Sequence, residues 1–199
     1  LRKELGIPVE ARIIGYIGEI RRERNLDTLV EAVARLLPAH PDLYLVMVGD
    51  HSMEPREPER LKGIAAGAPQ VAGRNEGEPC PGRARPSVGR VDSAGEGPTP
   101  REDMTRDAGA ALGATEVGLA GRLLFTGHRL DPERFYRMFD VYVLPSTREG
   151  FGVTLIEAMA TGAPVIACCV GGPREIVVGG RDGIVVEDRD HDGLGEGIY

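Results

Sequence analysis

Two glutamates carry the chemical interest of the stretch PSTREGFGVTLIEAMATG, residues 145–162. Glu149 stands just before a Gly-Phe-Gly turn, and Glu157 follows eight positions later among Leu, Ile, Ala and Met. A carboxylate in such company is costly to bury unless hydrogen bonds satisfy it. Gly150 and Gly152 allow backbone to approach a ligand closely, and the pattern predicts a helix that opens between Gly152 and Thr154. The first amides of a helix lack intrahelical partners and carry partial positive charge, which suits a phosphate. Glu157 lies about one turn further along and can accept hydrogen bonds from a bound polyol if it faces the cleft. Two acceptors flanking an anion site point to a phosphorylated ligand that bears hydroxyls. The alternative is that Glu149 caps the helix start and Glu157 is a solvent-facing surface residue.

Such residues need a rigid frame. Short β-rich runs recur at 12–18 (RIIGYIG), 43–49 (LYLVMVG), 122–127, 141–146 (VYVLPS), 163–169 and 183–186. They are continuous apolar runs, as expected for strands of a parallel sheet covered by helices on both faces. Helical patterns alternate with them. The clearest places Leu26, Leu29, Val30, Val33, Leu36 and Leu37 at three- and four-residue steps before Pro38; others are predicted at 55–66, 132–139, 152–161 and 172–178. Repeated β-α units predict an α/β fold, a doubly wound Rossmann-like parallel sheet whose ligands bind beyond the carboxyl ends of the strands. Glu149 follows the run 141–146 and belongs at that end. From Gly67 to Ala110 the pattern gives way to Gly, Pro and Arg, with Val71, Val88, Val91 and Met104 as the sizeable aliphatic residues. That composition buries too little to offset ordering entropy. Residues 67–110 therefore read as a disordered insertion within one domain made of 1–66 and 111–199.

The formal net charge of the 199 residues is -7, which argues against a nucleic-acid partner, whose phosphates call for a basic face. No run approaches the roughly 18 apolar residues of a membrane span, and the opening LRKELGIPVE lacks the core of a signal peptide. A cytoplasmic location is the expectation. Beginning at Leu1 rather than Met, the chain reads as part of a longer polypeptide. Cys80, Cys168 and Cys169 show no C-x-x-C spacing and argue against a disulfide framework or a zinc site. The DRD of residues 188–190 reads as a turn, so no metal is expected.

The stretch STREGFGVTLIEAMATGAPVIA resembles the two-glutamate region of retaining GT-B glycosyltransferases, particularly family 4. The surrounding order agrees: IGYIGEIRRERN, LVMVGD, FTGH, FDVYVLPS, EGFGVTLIEAMATGAPVIA, VGGPREIV and DGIVV occur in the sequence of that family's C-terminal domain. The resemblance covers residues 1–66 and 115–190. It implies that Glu149 contacts the hydroxyls of a donor sugar, that Glu157 contacts the ribose, and that the amides of Phe151, Gly152, Val153 and Thr154 contact the sugar or diphosphate. It also places Gly18 at the donor-binding strand end. Where the family has an arginine and a lysine that grip the diphosphate, this chain has Glu19 and Arg24. Arg24 can serve as the charged donor, with a guanidinium suited to bidentate phosphate contact; Glu19 cannot, which leaves Arg21 or Arg22 to substitute. Glu149 and Arg24 are the catalytic candidates.

The loop FTGHRLDP, with His128 and Arg129, falls where the family binds the base, and Arg129 joins the donor-binding candidates. Glu175 occupies another family position, at a helix start. The resemblance further implies retention at the anomeric carbon, no cofactor beyond the nucleotide-diphosphate sugar donor, and no obligatory metal. The acceptor, which these residues do not reveal, belongs to an N-terminal GT-B domain absent from this chain, and peripheral membrane association through that other half is in keeping with the family. The chain also stops before the family's usual closing helices. An NAD-linked oxidoreductase shares the fold class, yet GYIGEI supplies only G-x-x-G. A GT-B epimerase is not expected to carry EGFGVTLIEAMA. The remaining alternative is a non-catalytic nucleotide-sugar-binding module or an inactive truncated fragment.

Overall fold

The computed structural model describes residues 1–66, the backbone of 115–116, and 121–199. The segment 67–110 read as an insertion lies outside the described residues. Among the described residues seven strands form one sheet: β1 (Arg12–Ile17), β2 (Leu43–Val48), β3 (Thr115–Glu116), β4 (Leu123–Phe125), β5 (Val141–Leu144), β6 (Val165–Cys168) and β7 (Ile184–Val186). Their order is β3-β4-β2-β1-β5-β6-β7. All pairings are parallel except that of β3, which runs antiparallel to β4 at the edge. The six predicted strands are present. The seventh, β3, escaped prediction because two residues without an apolar run acquire strand geometry only through their partner.

The helices are α1 (Leu26–Leu36), α2 (Glu57–Ala65), α3 (Pro132–Tyr136), α4 (Val153–Ala160), α5 (Pro173–Ile176) and α6 (His191–Ile198). Helix α1 packs with α2 and α6, and α3 packs with α4, so the sheet is covered on both faces. The strands accordingly bury both sides; Ile13, Leu45, Val46, Met47, Leu123, Tyr142 and Val143 have no exposure. On α1 the predicted stripe faces inward, with Leu26, Leu29, Val30 and Val33 fully buried. Each such side chain contributes about 1.5–3 kcal/mol by leaving water, and truncation of Leu29 to alanine should cost about 2–5 kcal/mol.

Two features lie outside the expectations. The stretch HDGLGEGI, not among the predicted helices, forms α6 despite its glycines. Asp190 accepts from the Gly193 amide at 2.8 Å to cap it, Leu194 is fully buried, and Arg35 Nη1 reaches Asp192 at 2.7 Å. Tertiary packing on α1 outweighs the poor propensity of glycine. The second concerns cysteine: Cys168 is a free buried thiol, whereas Cys169 is disulfide-bonded. No helix among the described residues is long and apolar enough to cross a membrane.

Candidate functional site

From β1 the chain winds outward through β2 to β4, and from β5 it winds the other way through β6 to β7. The reversal opens a crevice between the carboxyl ends of β1 and β5, the place where open α/β sheets bind ligands. The loops after those two strands carry the residues in question. After β1 come Gly18, Glu19, Arg21 and Arg24; after β5 come Glu149 and the turn into α4.

Three contacts lock the two loops together. Asn25, buried at 4% exposure and left-handed at φ 54°, donates from Nδ2 to the Pro145 carbonyl at 2.9 Å. Its Oδ1 accepts from the Thr28 hydroxyl at 2.8 Å, and the Thr147 hydroxyl donates to the Glu23 carbonyl at 3.4 Å. The third tie is the site's central ion pair: Arg24 Nη1 donates to Glu149 Oε2 at 2.7 Å, with side chains 23% and 17% exposed. The two catalytic candidates, 125 positions apart in sequence, thus meet across the crevice.

Glycine sets the backbone of both loops. Gly18 and Gly49 end neighbouring strands so closely that a side chain on Gly49 would meet the Gly18 carbonyl. On the other side Gly171 and Gly172 press against the Glu149–Phe151 turn, and the Gly172 amide donates to the carbonyls of Glu149 at 3.3 Å and Gly150 at 3.1 Å. The turn holding Glu149 is therefore braced from behind by residues that sequence reasoning treated only as a flank of Glu175. Helix α4 starts from Gly152 at φ 85°, and no side chain caps it. The amides of Val153 and Thr154 have no intrahelical acceptor, while Phe151 lies at the loop tip with 60% of its surface exposed.

Buried tyrosines support the acceptors, a feature that sequence reasoning missed. Tyr136 donates to Glu157 Oε2 at 2.8 Å, so the exposed Glu157 is anchored by a buried hydroxyl. Tyr142 donates to the Thr154 hydroxyl at 2.8 Å, and Tyr16 to the Glu19 carbonyl at 2.8 Å. Burial pushes all three phenols above the ordinary tyrosine range, so each stays protonated and able to donate. Alternating apolar patterns mark such tyrosines only as core, since the hydroxyl's target lies on another element.

Of the two arginines proposed to replace the missing family residue, the structure separates one from the other. Arg22 turns to α2, with Nε 3.8 Å from the buried Glu57 and its amide donating to Glu54 at 3.3 Å. Arg21 stays in the loop, with Nη2 2.8 Å from Glu19 and Nε 3.2 Å from Glu23. Glu19 also lies 3.4 Å from Arg24 Nη2. Arg129 is committed within its own loop: it donates to Asp131 from Nε at 2.9 Å and Nη2 at 3.1 Å and lies over the Phe135 ring. These bonds hold the Asp131 carboxyl below its usual range. Its contacts do not include Arg24, Glu149 or Glu157. His128 and Glu175 are exposed.

Comparison with known proteins places this site in context. The family described as Glycosyl transferases group 1 matches residues 83–199, and a second family of the same description matches 1–69. The lipopolysaccharide core biosynthesis mannosyltransferase LpsB of Rhizobium meliloti is 29% identical over 191 residues, covering 95% of this chain and 41% of that protein. A D-inositol 3-phosphate glycosyltransferase of Corynebacterium jeikeium is 30% identical over 192 residues, covering 95% of this chain and 35% of its own. The chain thus spans well under half the length of these relatives. Among solved structures, Anabaena HepE in complex with UDP and glucose superposes with a TM-score of 0.69 at 20% identity, over 99% of this chain and 40% of that one. The C-terminal domain of LpcC, a group 1 glycosyl transferase of Francisella tularensis, gives 0.64 at 22% identity, over 98% and 78%. With its doubly wound sheet, its two-glutamate turn at the switch point and these matches, the chain belongs to the glycosyl transferases group 1 and has the fold of their C-terminal domain, one half of a GT-B glycosyltransferase.

Proposed function

We propose that this chain binds a nucleoside-diphosphate sugar in the crevice between β1 and β5, for transfer of the sugar to an acceptor held elsewhere in the protein, with retention at the anomeric carbon. The observation that carries the reading is the Arg24–Glu149 pair, which sets a cation and a carboxylate acceptor 2.7 Å apart on the loops that flank the uncapped start of α4. The complex of the similarly folded Anabaena HepE with UDP and glucose supports the same ligand class.

In this reading Arg24 turns from Glu149 toward the diphosphate, Arg21 assists it, and the amides from Phe151 to Thr154 complete the cradle. Glu149, released from Arg24, accepts from the sugar hydroxyls; Glu157, steadied by Tyr136, accepts from the ribose. As the bond from the anomeric carbon to the diphosphate breaks, negative charge grows on the leaving phosphate. Donors fixed in advance at that position supply the largest catalytic term. A new bond forms from the anomeric carbon to the acceptor oxygen, and the acceptor's proton passes to the departing phosphate. No metal is assigned a part.

Calorimetric titration with UDP, GDP and ADP tests the reading. Glu157→Ala should weaken the nucleoside diphosphate that binds by about tenfold or more, since a charge-assisted hydrogen bond is worth roughly 1.5–3 kcal/mol, and lower stability by only about 1 kcal/mol as the Tyr136 hydroxyl loses its acceptor. Unaltered affinity would remove Glu157 from the ribose. Binding by this chain without sugar transfer by the longer protein would favour a non-catalytic module.

A further inference from the structure

The loop after β1 carries a carboxylate where an anion-binding loop has reason to exclude one. Glu19 Oε2 lies 2.8 Å from Arg21 Nη2 and 3.4 Å from Arg24 Nη2, so a single carboxylate gathers both guanidiniums. The backbone beneath it is fixed: the Tyr16 hydroxyl donates to the Glu19 carbonyl at 2.8 Å, and the Ile20 amide donates to Asp50 at 2.8 Å. The Nε of Arg24 is out of solvent and makes no hydrogen bond, while that of Arg21 lies 3.2 Å from Glu23. Arg24 therefore has a donor in hand beyond those that Glu19 and Glu149 engage. Two arginines drawn to one carboxylate, one of them with an unmet donor, form a cradle with room for a further acceptor oxygen.

We propose that Glu19 is an internal stand-in for the ligand's diphosphate, holding Arg21 and Arg24 together before a ligand binds and yielding them when an anion enters. A carboxylate presents two oxygens to guanidinium in the same planar geometry as a phosphate edge, and the 48% exposure of its side chain lets it swing into solvent once displaced. The consequence is a site that keeps its arginines positioned while empty and binds the diphosphate against a resident competitor. Glu19 thereby lowers the affinity for the donor and for the nucleoside diphosphate left after transfer, which speeds product release. This rests on the reading that the ligand is a nucleoside-diphosphate sugar.

The test is calorimetric titration of the full chain and of its Glu19→Gln variant with inorganic pyrophosphate, UDP and uridine. Removing an exposed competing charge should tighten pyrophosphate and UDP about fivefold, the scale of one exposed ion pair, with uridine unchanged. The variant's thermal transition establishes that it folds, as the exposure of Glu19 leads one to expect. Equal or weaker pyrophosphate affinity in the folded variant overturns the proposal, as does failure of both proteins to bind pyrophosphate. If UDP binds both proteins equally, the nucleoside-diphosphate reading survives and the role of Glu19 does not. A gain for pyrophosphate when neither protein binds UDP leaves Glu19 as the competitor and removes the nucleoside diphosphate as ligand.

Discussion

Replacing Arg24 with alanine perturbs both the stability of the fold and the grip of the site on an anion, and the two effects can be separated. The guanidinium sits between Glu149 at 2.7 Å and Glu19 at 3.4 Å. An exposed ion pair contributes about 0.2–1 kcal/mol, whereas breaking a buried one costs about 3–5 kcal/mol. With Arg24 and Glu149 at 23% and 17% exposure, solvent screens the pair substantially, and about 1–2 kcal/mol is the expected loss. For a domain of this size that corresponds to a fall in Tm of about 2–8 °C. Binding adds a second signature. If Arg24 engages the diphosphate, Arg24→Ala forfeits charge-assisted bonds worth roughly 1.5–3 kcal/mol, or about 10- to 150-fold in UDP affinity, with little change for uridine. Thermal unfolding and parallel titrations with UDP and uridine measure the two. The double variant Arg24→Ala, Glu149→Ala should lose less stability than the sum of the single losses, because the partners are coupled. Additive stability losses would show that the pair contributes nothing, and equal losses for UDP and uridine would show that this turn does not bind phosphate.

Other elements of the site yield further tests. Tyr136→Phe deletes the hydroxyl that holds Glu157; it should cost about 1 kcal/mol of stability and weaken UDP and uridine by the same factor, so unchanged uridine affinity would detach Tyr136 from ribose binding. Gly171→Ala introduces a side chain against the Glu149 carbonyl at a backbone φ of 49°; a loss of about 1–3 kcal/mol is expected, together with weaker UDP binding, and an unchanged unfolding midpoint would mean that the brace behind Glu149 yields freely. Burial, with Asp188 and Asp190 nearby, pushes the Cys168 thiol up to about 12. Iodoacetamide at pH 8 should leave Cys168 unmodified in the folded chain and label it once denaturant unfolds it. The stability this thiol contributes is fully present below its unfolded value and is lost as the pH rises towards 12.

Residue order alone determined the parallel α/β architecture, because strands buried on both faces read as continuous apolar runs and α1 shows its buried stripe at three- and four-residue steps. It likewise put Glu149 after a strand and before a glycine-led helix start, as β5 and α4 show, since a helix start preceded by glycine is a local feature. Tertiary structure alone decided which charges meet. Arg24 pairs with Glu149 only because β1 and β5 are neighbours, and Arg22 departs to Glu57 only because α2 lies beside its turn. The support of Glu157 by Tyr136, the clasp of Asn25 on Pro145 and the helicity of the glycine-rich α6 belong to the same class. Periodicity records how often a chain must turn a side chain inward, which each segment settles for itself. The partner that a polar group finds once inside depends on elements far away in sequence, brought alongside by the order of strands in the sheet.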